Sequence, residues 1–436
     1  MKEIIRSTWI AGAVVASLTA VVSAQGPPVS APALSLQQVL DEALARNPDL
    51  IMLAREHERA RLEPDTARAF EPPMFEAQIW RWPIDTLNPS RTDMYMFSIG
   101  QTLPGRGKRE AMAAVAEADA AVAGASIAVR ARQIIDQVKQ AWADVFLVRR
   151  ALATNTGTLA LLRQFTDIAA AKYATGRAPQ QDVLAGVVEL SRVHEQLTRL
   201  REDEQLATAR LNVLMGRRPE APVELEAELV DVAVLPSTTD LQAVALEHEP
   251  GLRVASLEVD RARAALAAAI TDYKPDVTIG GGYMLMPNDT DAWMARVSVT
   301  WPGAPWSRGR LDAKKAVAAA EISTREARRQ AAENDVRLAV HGAWVRADGA
   351  GARVALLESS ILPQARQAVE VARAAYESDR GSFLALVDSQ RVRLDAELDF
   401  HRARAERAQA LADLERVAGI DLATVAAREF AAAGGR

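Results

Sequence analysis

Two stretches of the chain place apolar residues at alternating steps of four and three, the second with one doubled step of seven. Ile134, Val138, Ala141, Val145, Val148 and Leu152 form one seam; Leu190, Val193, Leu197, Leu200, Ala207, Leu211 and Leu214 form a similar one. Such steps put side chains on one stripe of an α-helix that packs against another helix. No proline occurs between Pro104 and Pro179. The pattern predicts one helix over about 107–175, ~100 Å long at 1.5 Å per residue. A return helix follows over about 180–215, with Gly176 and Pro179 as stop and restart. A second pair is expected over about 309–376 and 382–418, with Pro363 as a kink.

Four shorter segments alternate with a period of two, the signature of strands with one apolar and one polar face. Phe75, Ala77 and Ile79 oppose Glu76 and Gln78; Tyr95, Phe97 and Ile99 oppose Ser98, Gly100 and Thr102. Val277, Ile279, Tyr283 and Leu285 oppose Thr278, Gly280 and Gly282, and Trp293, Ala295, Val297, Val299 and Trp301 oppose Arg296, Ser298 and Thr300. The strands are expected within about 74–103 and 276–302. A soluble sheet packed on helices would alternate likewise. Strands near ten residues long, with Trp80, Trp82, Trp293 and Trp301 at girdle-like positions, favour a transmembrane β-barrel. Four strands cannot close, and lipid tolerates no open edge. Copies must therefore pool their strands, eight from two chains or twelve from three. The loops 83–93 and 287–291 would face outward.

The chain states this plan twice. Ala43, Leu44, Pro48 and Leu50 recur as Ala245, Leu246, Pro250 and Leu252, and Trp142 recurs as Trp344, all at an offset of 202. Past an insertion of one residue, Tyr173, Leu211 and Gly216 match Tyr376, Leu414 and Gly419 at 203. The first repeat spans 25–215, an acidic, proline-containing connector 216–240, the second repeat 241–420 and a tail 421–436. Within each repeat a strand runs abruptly into a long helix, the first through Pro104-Gly105-Arg106-Gly107 and Lys108. This run is not a phosphate-binding loop, because Thr102 stands where the first glycine belongs and Arg109 where a Ser or Thr hydroxyl would meet magnesium.

Composition changes the picture in three ways. Lys2 and Arg6, an apolar run from Trp9 to Val22, then Val22-Ser23-Ala24 have the order of a secretory signal over 1–24. Removing Lys2, Glu3 and Arg6 takes a net +1 from a chain of charge −5, leaving −6, so no electrostatic footprint for nucleic acid exists. There is no cysteine, so an exported chain of this size relies on packing alone and has no N-terminal thioether for a lipid.

Candidate chemistry is sparse. No G-x-S-x-G elbow, HExxH or Cys nucleophile occurs, which argues against an enzyme, and nothing calls for a cofactor. The five histidines lack ligand spacing. Met94, Met96, Met284, Met286 and Met294 share the parity of the Ser, Thr and Gly positions and would face the barrel lumen. Thioethers are soft ligands that suit Cu(I), so a weak relay for copper or silver is one reading and space-filling on a tapered wall is the other.

In this arrangement the chain resembles the TolC family of outer-membrane efflux proteins, from LSLQQVLDEALARNPDL (34–50) through YESDRGSFLALVDSQRVRLDAELDF to LERVAGI. QTLPGRGKRE is similar to the corresponding stretch of members associated with heavy-metal pumps. The resemblance implies a fold that is mainly α with a membrane β-barrel: two tandem repeats, each a strand pair plus long coiled-coil helices. It further implies a homotrimer with a twelve-stranded barrel continued by an α-helical periplasmic tunnel. Its partners would be a periplasmic adaptor, an inner-membrane RND-type pump and outer-membrane lipid. The resemblance also implies a gate at the tunnel's periplasmic tip, where Asp182 and Tyr376 match the gate aspartate and tyrosine. Arg380 falls one place off the partner arginine. Asp388 matches one member of an acidic ring whose companion position here is Ala385. Drug, metal and protein export are not distinguished by these residues, and a soluble periplasmic coiled-coil adaptor is the remaining alternative.

Overall fold

The computed structural model describes residues 33–422 apart from 83, 86, 87, 89, 90, 227, 230–234 and 288. The expected signal (1–24), part of the connector and loops, and most of the tail (421–436) lie outside the described residues.

Three short helices open the first repeat: α1 (Leu36–Arg46), α2 (Pro48–Ala60) and α3 (Glu63–Arg68). Ser35 starts α1 with a capping box through Gln38, satisfying two helix-end amides reciprocally. Strands β1 (Met74–Trp80) and β2 (Met94–Leu103) follow, then α4 (Lys108–Ala174) and α5 (Gln180–Leu214). The second repeat begins with α6 (Thr238–His248) and α7 (Pro250–Thr271) and continues with β3 (Asp276–Leu285) and β4 (Ala292–Thr300). Its long helices are α8 (Arg308–Leu356), α9 (Leu362–Glu377) and α10 (Phe383–Ala418).

The duplication is visible in the core. Val39, Ala43, Val138, Ala141, Val145 and Leu211 pack in one cluster. Their counterparts Leu241, Ala245, Val340, Ala343, Ala347 and Leu414 pack in another. Trp142 and Trp344 also play matching parts, since each indole N–H donates to a connector carbonyl, of Glu228 at 2.9 Å and of Pro236 at 3.0 Å. The connector is therefore strapped across both repeats, and Leu34 adds a parallel bridge to Leu225.

The extra residue of the second repeat is located by helix geometry. Between α8 and α9 the chain makes a π-turn over Leu357–Ile361. A π-turn closes i→i+5 bonds and so holds one residue more than an α-turn. Buried pairs match at 202 before it (Val145 with Ala347) and at 203 after it (Leu162 with Ala365, Thr166 with Val369). Pro363, expected to kink the helix, lies just beyond this turn. Lacking an N–H, it sits where α-helical bonding is already interrupted.

The four strands form one antiparallel sheet in the order β1-β2-β3-β4, leaving β1 and β4 as open edges. Phe75, Phe97, Ile99, Ile279, Trp293 and Val297 project from one face into the surroundings. On the other face the side chains of Glu76 and Arg296, from the two edge strands, approach to 3.9 Å. Two expectations about tryptophan change: Trp80 pairs with Met94 on the polar face, and Trp82 and Trp301 lie beyond the strands.

The strand-to-helix junction is a clasp between repeats. Lys108 Nζ donates to both Asp276 carboxylate oxygens at 2.8 and 2.9 Å, and the Gly105 amide donates to Oδ1 at 2.7 Å. A Cβ on Gly105 would meet the Pro275 carbonyl at 2.7 Å, so only glycine fits. The glycine-lysine run thus holds a carboxylate of its own chain.

Candidate functional site

The candidate site has two parts, the polar face of the sheet and the far tip of the helices. On the sheet, Met96 opposes Met284 in register, Met94 opposes Trp80, and Met294 opposes Gly282. Met96 is buried. Met286 falls outside β3, where its amide donates to Asp291, so it continues the parity only in sequence. The shared face also carries Ser98, Thr102 and Thr278, with the two threonine hydroxyls 3.1 Å apart. Among the described residues no group of three or more His, Asp or Glu side chains could hold a metal ion.

At the tip, α4 turns into α5 and α9 turns into α10. Leu162, Phe165, Val193, Val369, Phe383 and Leu386 bury the junction of the two helix pairs. Tyr376 belongs to this cluster, 3% exposed, with its ring 5.4 Å from that of Phe383. Its hydroxyl reaches out of the apolar cluster and donates to Asp182 Oδ2 at 3.3 Å. Burial, together with the Asp182 charge, pushes the Tyr376 hydroxyl up to about 12. It therefore remains a donor at neutral pH. Asp182 lies in the first turn of α5, where the helix dipole favours an anion.

The other two tip residues behave differently. Arg380 has no ion-pair partner among the described residues of its own chain; its backbone amide caps α9 by donating to the Ala375 carbonyl at 2.8 Å. Asp388 faces solvent and pairs with Arg391 at 3.4 Å. Within one chain, then, Asp182 and Tyr376 come together, while Arg380 and Asp388 do not join them.

Three tip contacts are not foreshadowed by the sequence pattern. Glu189, nearly buried, accepts two hydrogen bonds from Arg391 at 2.9 and 2.5 Å, which hold its carboxyl below the usual range. Lys172, also buried, pairs with Asp379 and lies 4.6 Å from the centre of the Tyr376 ring. Asp379 takes a left-handed backbone, φ 59°. Helical periodicity marks none of these; only comparison of the repeats would have singled out Asp379, which stands where the first repeat has Gly176.

The model of the outer membrane efflux protein family matches residues 39–217 and 241–420, one match for each repeat. The chain belongs to the outer membrane efflux protein family. It is an outer-membrane efflux channel whose long helices extend into the periplasm. The cobalt-zinc-cadmium resistance protein CzcC of Cupriavidus metallidurans is 24% identical over 397 residues, covering 90% of this chain and 92% of that one. Among solved structures, a membrane protein from Pseudomonas aeruginosa superposes with a TM-score of 0.72 at 21% identity, covering 88% of this chain and 93% of its own. CusC superposes at 0.70 with 16% identity, covering 88% and 92%. These likenesses bear out a mainly helical channel fold with a small antiparallel sheet.

Proposed function

We propose that this chain is the outer-membrane exit of a metal-cation efflux system, a passive duct that assembles as a homotrimer and is fed by a periplasmic adaptor and an RND-type inner-membrane pump. The observation that carries the metal reading is the likeness to CzcC along nearly the full length of both chains. The paired thioethers of Met96 and Met284 agree with it, since a soft donor pair on the polar face suits a soft cation such as cadmium, copper or silver.

Trimer formation is supported by the open edges. An apolar sheet face needs lipid, and lipid excludes unpaired strand edges, so β4 of one copy must pair with β1 of the next. Three sheets give twelve strands, whereas two give eight, about the number whose interior side chains already fill. Asp182 and Tyr376 form the periplasmic gate in this reading. In this reading Arg380, without an ion-pair partner among the described residues of its own chain, meets a neighbouring copy, and Asp388 lines the channel just inside.

The test is metal accumulation in a deletion strain carrying either the wild-type chain or one with Met94, Met96, Met284 and Met294 changed to Leu. Rescue by wild type but not by the Leu chain supports the methionine face as part of the path. Full rescue by the Leu chain makes the methionines wall filler and leaves the duct reading intact. A soluble periplasmic monomer would contradict both.

A further inference from the structure

The tip uses the same turn twice. The Arg177 amide donates to the Lys172 carbonyl at 2.8 Å, and the Arg380 amide donates to the Ala375 carbonyl at 2.8 Å. These residues correspond at the offset of 203. Gly176 fills the left-handed position of the first turn, φ 70°, at no steric cost. Its counterpart is Asp379, φ 59°, a conformation in which a side chain is disfavoured. The second turn thus keeps a costly residue where the first has none.

The compensation comes from the other repeat. Lys172, 7% exposed at the end of α4, directs its ammonium into the second turn. It pairs with the Asp379 carboxylate and donates to the carbonyls of Tyr376 and Glu377. Its charge also faces the Tyr376 ring. An ammonium has three protons, and all three find acceptors here in one turn of the opposite helix pair. The position equivalent to Lys172 in the second repeat is Ala375, which has no group to return the contact. A leucine or methionine at 172 would fill the same space without the desolvation cost of a buried charge.

We propose that Lys172 is a positioning residue of the gate: it locks the second tip turn onto the first helix pair and so holds the Tyr376 hydroxyl on Asp182. The proposal rests on the reading of Asp182 and Tyr376 as the gate. Separation of α9 and α10 from α4 and α5 must break every Lys172 contact together, so closure becomes cooperative between the repeats.

The test uses the full chain, purified as its native oligomer, with two readouts. Hydrogen exchange at the amides of 378–381 reports the lock itself, and channel conductance in planar bilayers reports the gate. Lys172→Met should speed exchange at 378–381 several-fold while leaving 176–177 unchanged. Asp379→Gly, which removes the carboxylate and the backbone cost together, guards against simple misfolding. Both variants should raise mean conductance several-fold, and Lys172→Met should add little in a Tyr376→Phe background. Unchanged exchange at 378–381, unchanged conductance in both variants beside an open Tyr376→Phe, or a double-variant gain equal to the product of the single gains overturns the proposal. Wild-type conductance in Tyr376→Phe overturns the gate reading beneath it instead.

Discussion

Tyr376 donates to a carboxylate from inside an apolar cluster, and that placement fixes how the tip responds to pH. Its hydroxyl, pushed up to about 12, favours the protonated folded form. The contribution is complete below the ordinary tyrosine value of 10.0 and is lost as the pH climbs from there towards about 12. Asp379 has the opposite sign, because the Lys172 hydrogen bond holds it below 3.8. Its contribution is complete above that value and is lost as the pH falls through the lowered one. Conductance should therefore stay flat through the neutral range as far as these groups are concerned and rise above about pH 10. Tyr376→Phe should remove that alkaline rise, as a conductance titration would reveal. Glu189 offers a second check at this scale. Arg391→Leu leaves its nearly buried carboxylate with Arg192 alone, at 3.3 Å. A stability loss of about 1–3 kcal/mol is expected in thermal unfolding, less for Glu189→Gln, which also removes the charge.

At the scale of elements, the surplus residue of the second repeat has a definite home. Deleting Ser359 should convert the π-turn into a regular α-turn and leave the buried register of α9 in place. Deleting Thr156 from α4 has no such outlet. It rotates the following helix by about 100° and takes Leu159, Leu162 and Phe165 out of the core. A loss of more than about 4 kcal/mol is expected, against little change for the Ser359 deletion, as thermal melts of the two proteins would register. The junction clasp belongs here too. Asp276→Asn keeps the size but weakens two charge-assisted bonds from Lys108, and should cost about 1–2 kcal/mol by the same assay.

For the whole molecule, what the sequence revealed follows what repeats and what is local. Ile134, Val138, Ala141 and Val145 declare their helix and its buried face, because a seam of that length has no competing reading. The two faces of β2 and β3 were readable from parity; their pairing register and the ends of the strands were not, which is why Trp82 and Met286 fall outside them. Asp182 and Tyr376 were legible through family resemblance, 194 residues apart in the chain. Lys172 and Asp379 were not, since their meaning arises only when the two turns face each other. The apolar face of the sheet and its two edge strands are the surfaces that the proposed trimer would cover and pair. In that proposed assembly the pump would deliver the cargo, so cargo would be a property of the whole system. The most direct test is the cellular content of cobalt, zinc, cadmium, copper and silver, beside a panel of dyes, in cells lacking the chain and in cells carrying it. For a metal-efflux duct, metals should rise on deletion and return to normal with the wild-type chain while dyes stay constant. A rise in dyes with metals unchanged would contradict that function.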